Sequence, residues 1–274
     1  MPHVTVMTQI VAICNQKGGV GKTTLTINLG AALAHLGHKV LMVDLDPQGH
    51  LTEGVGLHEE YLQEKHTIYD CIIGTKGARL SDLIVQNPQE PFYVIPSTYK
   101  LMLAEQALYM ARNREHKLKG LLAELPPAFD WVLIDCPPVL GNLTDNALNA
   151  SRQVVIPIQA EATSVRALEL LFDQIESVEK GLNIQIRVLA VVPNLVQDSS
   201  LSRRILQELR ESIPEVIRFE MKKRVLLQYA WERGVSIFAY QATSTTDEHT
   251  RQEITAQYTE LAEFVCYRAN GGEL

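Results

Sequence analysis

Residues 15–24 read Asn15-Gln16-Lys17-Gly18-Gly19-Val20-Gly21-Lys22-Thr23-Thr24, glycines interleaved with two lysines and closed by two threonines. Glycines let a backbone pass close to a ligand and turn successive N–H groups inward, and a helix that follows adds the positive end of its dipole. A triphosphate needs that arrangement. Lys22 is placed to reach the β- and γ-phosphates, and the Thr23 hydroxyl to ligate Mg²⁺. Gln16 stands where the common P-loop has its first glycine, and Lys17 adds a second cation. Further on, Asp44 and Asp46 close an apolar run two residues apart, so their carboxylates face the same way. A second apolar run, 131–134, ends in Asp135, the pattern of an aspartate that reaches Mg²⁺ directly or through water.

Such residues work only if strands and helices aim them at one place. Apolar, β-branched runs at 10–14, 40–43, 93–95, 131–134, 154–158 and 188–192 predict buried strands of a parallel sheet. Between them lie helical stretches. Leu25, Leu29, Leu33 and Leu36 recur at helical spacing with Gly37 at the expected stop, and further helices are predicted over 101–112, 117–125, 165–179, 201–210 and 248–267. In the last of these, Ile254, Tyr258, Leu261 and Val265 share a face. The fold class expected is α/β: a single P-loop NTPase domain over 1–274, with a mostly parallel twisted sheet flanked by helices on both faces. Residues 1–8 are expected to form a flexible N-terminal extension and 268–274 a polar tail.

Composition agrees with a globular chain: 274 residues, 46% hydrophobic and 21% charged, with a net charge of −7. The N-terminus lacks the basic and apolar regions of a signal peptide, and no apolar run nears the ~18 residues of a bilayer span. Cys14, Cys71, Cys136 and Cys266 show no CxxC spacing, which points to a reducing, cytoplasmic setting, with Cys14 and Cys136 as small core residues. Charge is uneven: residues 176–234 hold ten Lys/Arg against eight Asp/Glu, while the remainder of the chain holds fifteen against twenty-four.

KGGVGKTT resembles the deviant Walker A sequence of the ParA/MinD class of P-loop ATPases, VDLDPQG its Walker A′ motif and IDCPP its Walker B. Similarity to the ParA/Soj group extends over nearly the whole chain, through VIPST at 94–98, LGNLTDNAL at 140–148 and VVIPIQAE at 154–161. The resemblance implies ATP and Mg²⁺ as cofactors, with Lys17, Gly18, Gly19, Val20, Gly21, Lys22, Thr23 and Thr24 as the nucleotide cradle. It implies that Lys17 crosses a homodimer interface to the partner's ATP, that Asp46 positions the attacking water, and that Asp44 and Asp135 join Thr23 around the metal. Asn194 follows the strand where the family reads adenine; a turn-forming asparagine is the other reading. Arg203, Arg204, Lys222, Lys223 and Arg224 fall where the family binds DNA non-specifically, although FEMKKRVLLQYA departs from its usual wording.

The function implied is an ATP-dependent partition ATPase. Its ATP dimer binds nucleoid DNA and is released when a ParB-like adaptor stimulates hydrolysis, placing plasmid or chromosome cargo. An McdA-like version would position protein cargo such as carboxysomes with an McdB-like adaptor. A MinD-like division regulator needs a basic amphipathic helix at the membrane, whereas 247–267 carries five acidic residues against one arginine, so no membrane partner is expected. The iron protein of nitrogenase-like reductases needs paired cluster-ligating cysteines, and Cys71 and Cys136 flank the wrong elements.

Overall fold

The computed structural model describes residues 7–57 and 66–273. Strands β1 (Gln9–Ile13), β2 (Val40–Asp44), β3 (Val85–Gln86), β4 (Phe92–Ile95), β5 (Trp131–Asp135), β6 (Gln153–Ile158) and β7 (Arg187–Pro193) form one sheet in the order β3-β4-β2-β5-β1-β6-β7. Every neighbouring pair is parallel except β3 with β4. The six expected strands are all present. The short antiparallel edge strand β3 was not expected, because two residues carry no readable period.

The sheet is buried on both sides, which explains its near-continuous apolar strands. Along β1, Val11 and Ile13 face one core while Ala12 and Cys14 face the other. The first core is closed by α1 (Lys22–His35), α2 (His50–Gly54), α9 (Val225–Glu232) and α10 (Thr245–Ala269). The second is closed by α3 (Ile68–Ile73), α4 (Met102–Tyr109), α5 (Lys117–Ala123), α6 (Asn142–Ser151), α7 (Ala162–Leu182) and α8 (Ser200–Ser212). Ile254, Tyr258, Leu261 and Val265 of α10 all lie in the first core, as their spacing predicts.

Thr8 and Arg268, near the two ends of the described residues, are both tied to the sheet and its loops. Residues 1–6 of the expected extension lie outside the described residues, but the Thr8 hydroxyl donates to the Phe129 carbonyl at 2.8 Å. Arg268 is not part of a polar tail: it is buried within α10 and donates to the carbonyls of Leu189 and Val188 on the edge strand β7. Those carbonyls have no further strand to pair with, and the guanidinium satisfies them.

Candidate functional site

β1, β2 and β5 are neighbours through β5, and all three end at the same side of the sheet. The loop after β1, the Asp44–Asp46 segment after β2 and Asp135 at the end of β5 therefore meet at one crevice, the place where open parallel sheets bind ligands. The loop keeps its shape through glycine. Gly19 and Gly21 have φ of +74° and +82°, and a Cβ at Gly21 would lie 2.5 Å from the Asn194 amide nitrogen. At Gly18 and Gly19 a Cβ would meet nothing within 4 Å, so that stretch of backbone faces open space. Asn15 anchors the loop at its base: its amide donates to the Pro157 carbonyl of β6 at 2.8 Å and its oxygen accepts from the Lys17 N–H at 2.9 Å.

Lys22 opens α1 just after Gly21 and is largely buried. Among the described residues its ammonium donates one hydrogen bond, to the Lys17 carbonyl at 3.4 Å. Burial lowers its pKa, with the charge of Asp135 opposing. Asp135 accepts hydrogen bonds from the Thr23 and Thr26 hydroxyls at 2.8 and 3.1 Å. Asp44 sits beside Asp135 in the strand register and accepts from the Thr52 N–H and hydroxyl at 2.9 and 2.6 Å. Both carboxyls are fully buried. Burial and the neighbouring Asp135 push Asp44 up to about 8, and burial pushes Asp135 up to about 7 against the pull of Thr23, Lys22 and Thr26. Asp46, nearly buried, accepts from the Gln48 N–H at 2.9 Å, and its charge acts on both Lys22 and Asp135.

Lys17 stands apart from this cluster. Its ammonium pairs with Glu161 at 2.6 Å and donates to the Thr163 hydroxyl oxygen at 3.0 Å, both at the start of α7 beyond β6. That is the side of β1 away from β2 and β5. Thr24 extends α1, its carbonyl accepting from the Asn28 amide at 2.8 Å. Asn194 does reach the loop, but its amide donates to the Val20 carbonyl at 2.8 Å, so the donor expected to read adenine is used as a brace for the loop. Among the described residues no group of three or more His, Cys, Asp or Glu gathers to hold a metal ion. Cys14 and Cys136 are buried side by side in the second core with sulfurs 2.9 Å apart, and burial raises the Cys136 thiol. Neither is placed to ligate a cluster at the surface.

Asn15, Thr26, Thr52 and Glu161 were not singled out in the sequence. Thr26 alone left a signal there, a hydroxyl one helical turn after Lys22.

The basic residues lie elsewhere. Arg203 and Arg204 are exposed on α8, in loose pairs with Asp198 and Glu208 at 3.2 and 3.8 Å. Lys222 and Lys223 are exposed, and a bridge between Val196 and Lys222 brings their segment beside the chain entering α8. Neither forms an ion pair among the described residues. Arg224 differs: half-buried at the start of α9, it pairs with Glu253 of α10 at 2.9 Å. The structure thus groups four of the five on one side of the molecule and ties the fifth to its own fold.

A glycine loop between strand and helix, closed by buried aspartates at the ends of two neighbouring strands, defines a P-loop nucleotide-binding protein with a second loop lysine. A family model described as an AAA domain matches residues 8–188. Soj of Bacillus subtilis is 37% identical over 240 residues, covering 87% of this chain and 93% of that protein. The chromosome-partitioning ATPase Soj of Treponema pallidum is 35% identical, covering 86% and 91%. The structure of cobyrinic acid a,c-diamide synthase from Mycobacterium smegmatis, with a bound ATP analog and magnesium, is 30% identical with a TM-score of 0.80 over 97% of this chain and 98% of that one. The chain belongs to this AAA-domain family, among the ParA/Soj-type ATPases.

Proposed function

We propose that this chain is a Mg²⁺-dependent ATPase whose ATP-bound form is a sandwich homodimer. The dimer binds DNA without sequence preference, and a ParB-like adaptor stimulates hydrolysis and releases it, so that plasmid or chromosome cargo is positioned on the nucleoid. Two lysines in different surroundings carry this reading: Lys22 is buried at the crevice against Asp46 and Asp135, while Lys17 is held outside it by Glu161 and Thr163.

The residues fit ATP and Mg²⁺. Lys22 is a buried cation with a single neutral contact, Asp44 and Asp135 are buried carboxyls driven toward protonation, and the backbone at Gly18 and Gly19 borders open space. Each deficit is met by a polyphosphate with its cation. Since the described residues gather no metal cluster of three, phosphate oxygens would have to complete the coordination shell. When bound, Mg²⁺ supplies charge neutralisation across the β- and γ-phosphate oxygens.

In this reading Lys22 binds the β/γ edge of the triphosphate, and the Thr23 hydroxyl with Asp44 and Asp135 would hold Mg²⁺. Asp46 orients a water in line with the terminal phosphorus. Because phosphoryl transfer is loose, orienting that water matters more than taking its proton early. Lys17 leaves Glu161 for the partner subunit's nucleotide, where a cation stabilises transition-state charge as an arginine finger does. DNA is bound through phosphates by Arg203, Arg204, Lys222 and Lys223, with Arg224 a lesser contributor. The apolar face of α10 supports a nucleic-acid rather than a lipid surface, since that face is spent on the core.

Sedimentation velocity with ATP and Mg²⁺ tests the lysines. The wild type is expected to dimerise; Lys22→Ala loses nucleotide binding and dimer alike; Lys17→Ala keeps nucleotide binding but loses the dimer. A Lys17→Ala protein that dimerises like wild type sinks the trans role.

A further inference from the structure

The segment that carries Asp44 and Asp46 runs directly into α2, and α2 has little of its own to fix it in place. It is five residues long, follows Gly49 at φ +67° and has no side-chain cap. A helix of little more than one turn is not stable by itself, so its position must come from packing. Position matters here. Thr52 of α2 gives both its N–H and its hydroxyl to one oxygen of Asp44. The Gln48 and Gly49 N–H groups close back on the Asp46 carboxylate and carbonyl, both at 2.9 Å.

Much of that packing comes from a distant part of the chain. Leu51 sinks into the first core, and Trp231, the penultimate residue of α9, packs half-buried against the same core. Its indole N–H donates to the His50 carbonyl at 3.1 Å. Its ring fills the space beside Gly54, where a Cβ would lie 2.2 Å from the indole nitrogen and 2.3 Å from Cδ1. One side chain therefore bears on the first and the last residue of α2. Just beyond, two backbones touch: Gly56 and Gly234 both have positive φ, and a Cβ on Gly234 would lie 2.6 Å from the Gly56 Cα. Glycine at 54, 56 and 234 is what lets α2 and the end of α9 approach this closely.

We infer that Trp231 is a positioning residue for the two aspartates: by clamping α2 at both ends it sets where Thr52 holds Asp44 and where the turn at 46–49 presents Asp46. This rests on the reading of Asp46 as the group that orients the attacking water, and it places a determinant of that geometry on α9, 181 residues from His50.

Two substitutions in the full chain act on the clamp in opposite senses. Trp231→Ala empties the space beside Gly54, whereas Gly54→Ala drives a methyl group into a ring that still occupies it. Each is expected to lower kcat for Mg²⁺-ATP at least tenfold while KM for ATP stays within threefold, since neither lies in the glycine loop. In the Trp231→Ala background, Gly54→Ala should cost less than a further twofold, because the ring it collides with is gone. Trp231→Phe keeps a flat ring over Gly54 and should hold kcat within threefold of wild type. Hydrogen exchange of the nucleotide-free protein gives a readout that needs no turnover. Exchange over 48–57 should speed at least fivefold in either single variant, while that over α1 stays within twofold. Gly54→Ala carries both predictions by itself should Trp231→Ala not fold. A wild type without Mg²⁺-dependent turnover sinks the ATPase reading, and the clamp then stands or falls on exchange. Unchanged exchange over 48–57, a loss expressed in KM rather than kcat, or an equal cost of Gly54→Ala with and without Trp231 overturns the clamp.

Discussion

Asp44 and Asp135 are buried acids side by side in the strand register, and this sets how the nucleotide-free protein should respond to pH. Their folded pKa values, about 8 and about 7, lie above the ordinary carboxylate range because burial penalises the charged form. A raised carboxyl pKa means that the folded chain holds protons the unfolded chain has released. The stabilisation is complete below the unfolded carboxylate pKa and is lost as pH rises to about 8, at up to about 1.4 kcal/mol per pH unit for one proton. The melting temperature of the nucleotide-free protein is therefore expected to fall between pH 5 and 8, as calorimetry can show. Asp44→Asn should flatten that slope, and ATP with Mg²⁺ should protect more at pH 8 than at pH 6. A melting temperature that rises over this range would show that the two carboxyls are ionised in the free fold. Asp46→Ala makes a different prediction, since Asp46 is assigned the water and not the metal: ATP binding persists, turnover becomes negligible, and the dimer on DNA becomes long-lived. Phosphate-release kinetics decide it.

At the scale of elements, α10 offers a test of packing. Tyr258 is fully buried and its hydroxyl has no hydrogen-bond partner among the described residues. Burial without a partner is costly, so Tyr258→Phe is expected to leave stability unchanged or raise it by about 1 kcal/mol in urea denaturation. A loss of that size would mean that the hydroxyl is satisfied by an ordered water. The same helix shows what the sequence could disclose. Its apolar face was legible because Ile254, Tyr258, Leu261 and Val265 are spaced on a helical period that burial enforces. The P-loop and Asp44, Asp46 and Asp135 were legible because each lies in a few consecutive residues at a strand end. Helices α2, α3, α6 and α9 were not among the expected elements; α2, α3 and α9 are only five to eight residues long, and α6 opens with the polar residues of 142–146, which mask its period. The pairing of Lys17 with Glu161, the Asn194 brace and the contact of Trp231 with His50 were hidden for another reason. Each joins residues 144 to 181 positions apart, and only the fold decides that they meet.

For the whole molecule, an acidic subunit that binds DNA must do so through local charge. Phosphate contacts release counterions, so affinity should fall steeply with salt and differ little between unrelated duplexes. Lys222→Glu/Lys223→Glu should weaken binding on any duplex and lower the salt slope by roughly two contacts, about 0.9 each. Arg224→Glu should act mainly on the fold, because it places a second carboxylate against Glu253. Binding isotherms across a salt series, alongside melting curves, separate the two. Equal slopes for wild type and the double-lysine variant would remove those lysines from the surface. A strong preference for one duplex would overturn the non-specific mechanism.

The brace from Asn194 to the loop carbonyl at Val20 also has a consequence in time. A ribosome makes the loop well before the side chain that fills the space beside Gly21, which follows Val20 by 174 residues and is added only after β7. The strand β6 that Asn15 grips is likewise late. A nascent chain thus carries its glycine loop unsupported until β6 and Asn194 have been made. Competence for nucleotide is acquired only after that point.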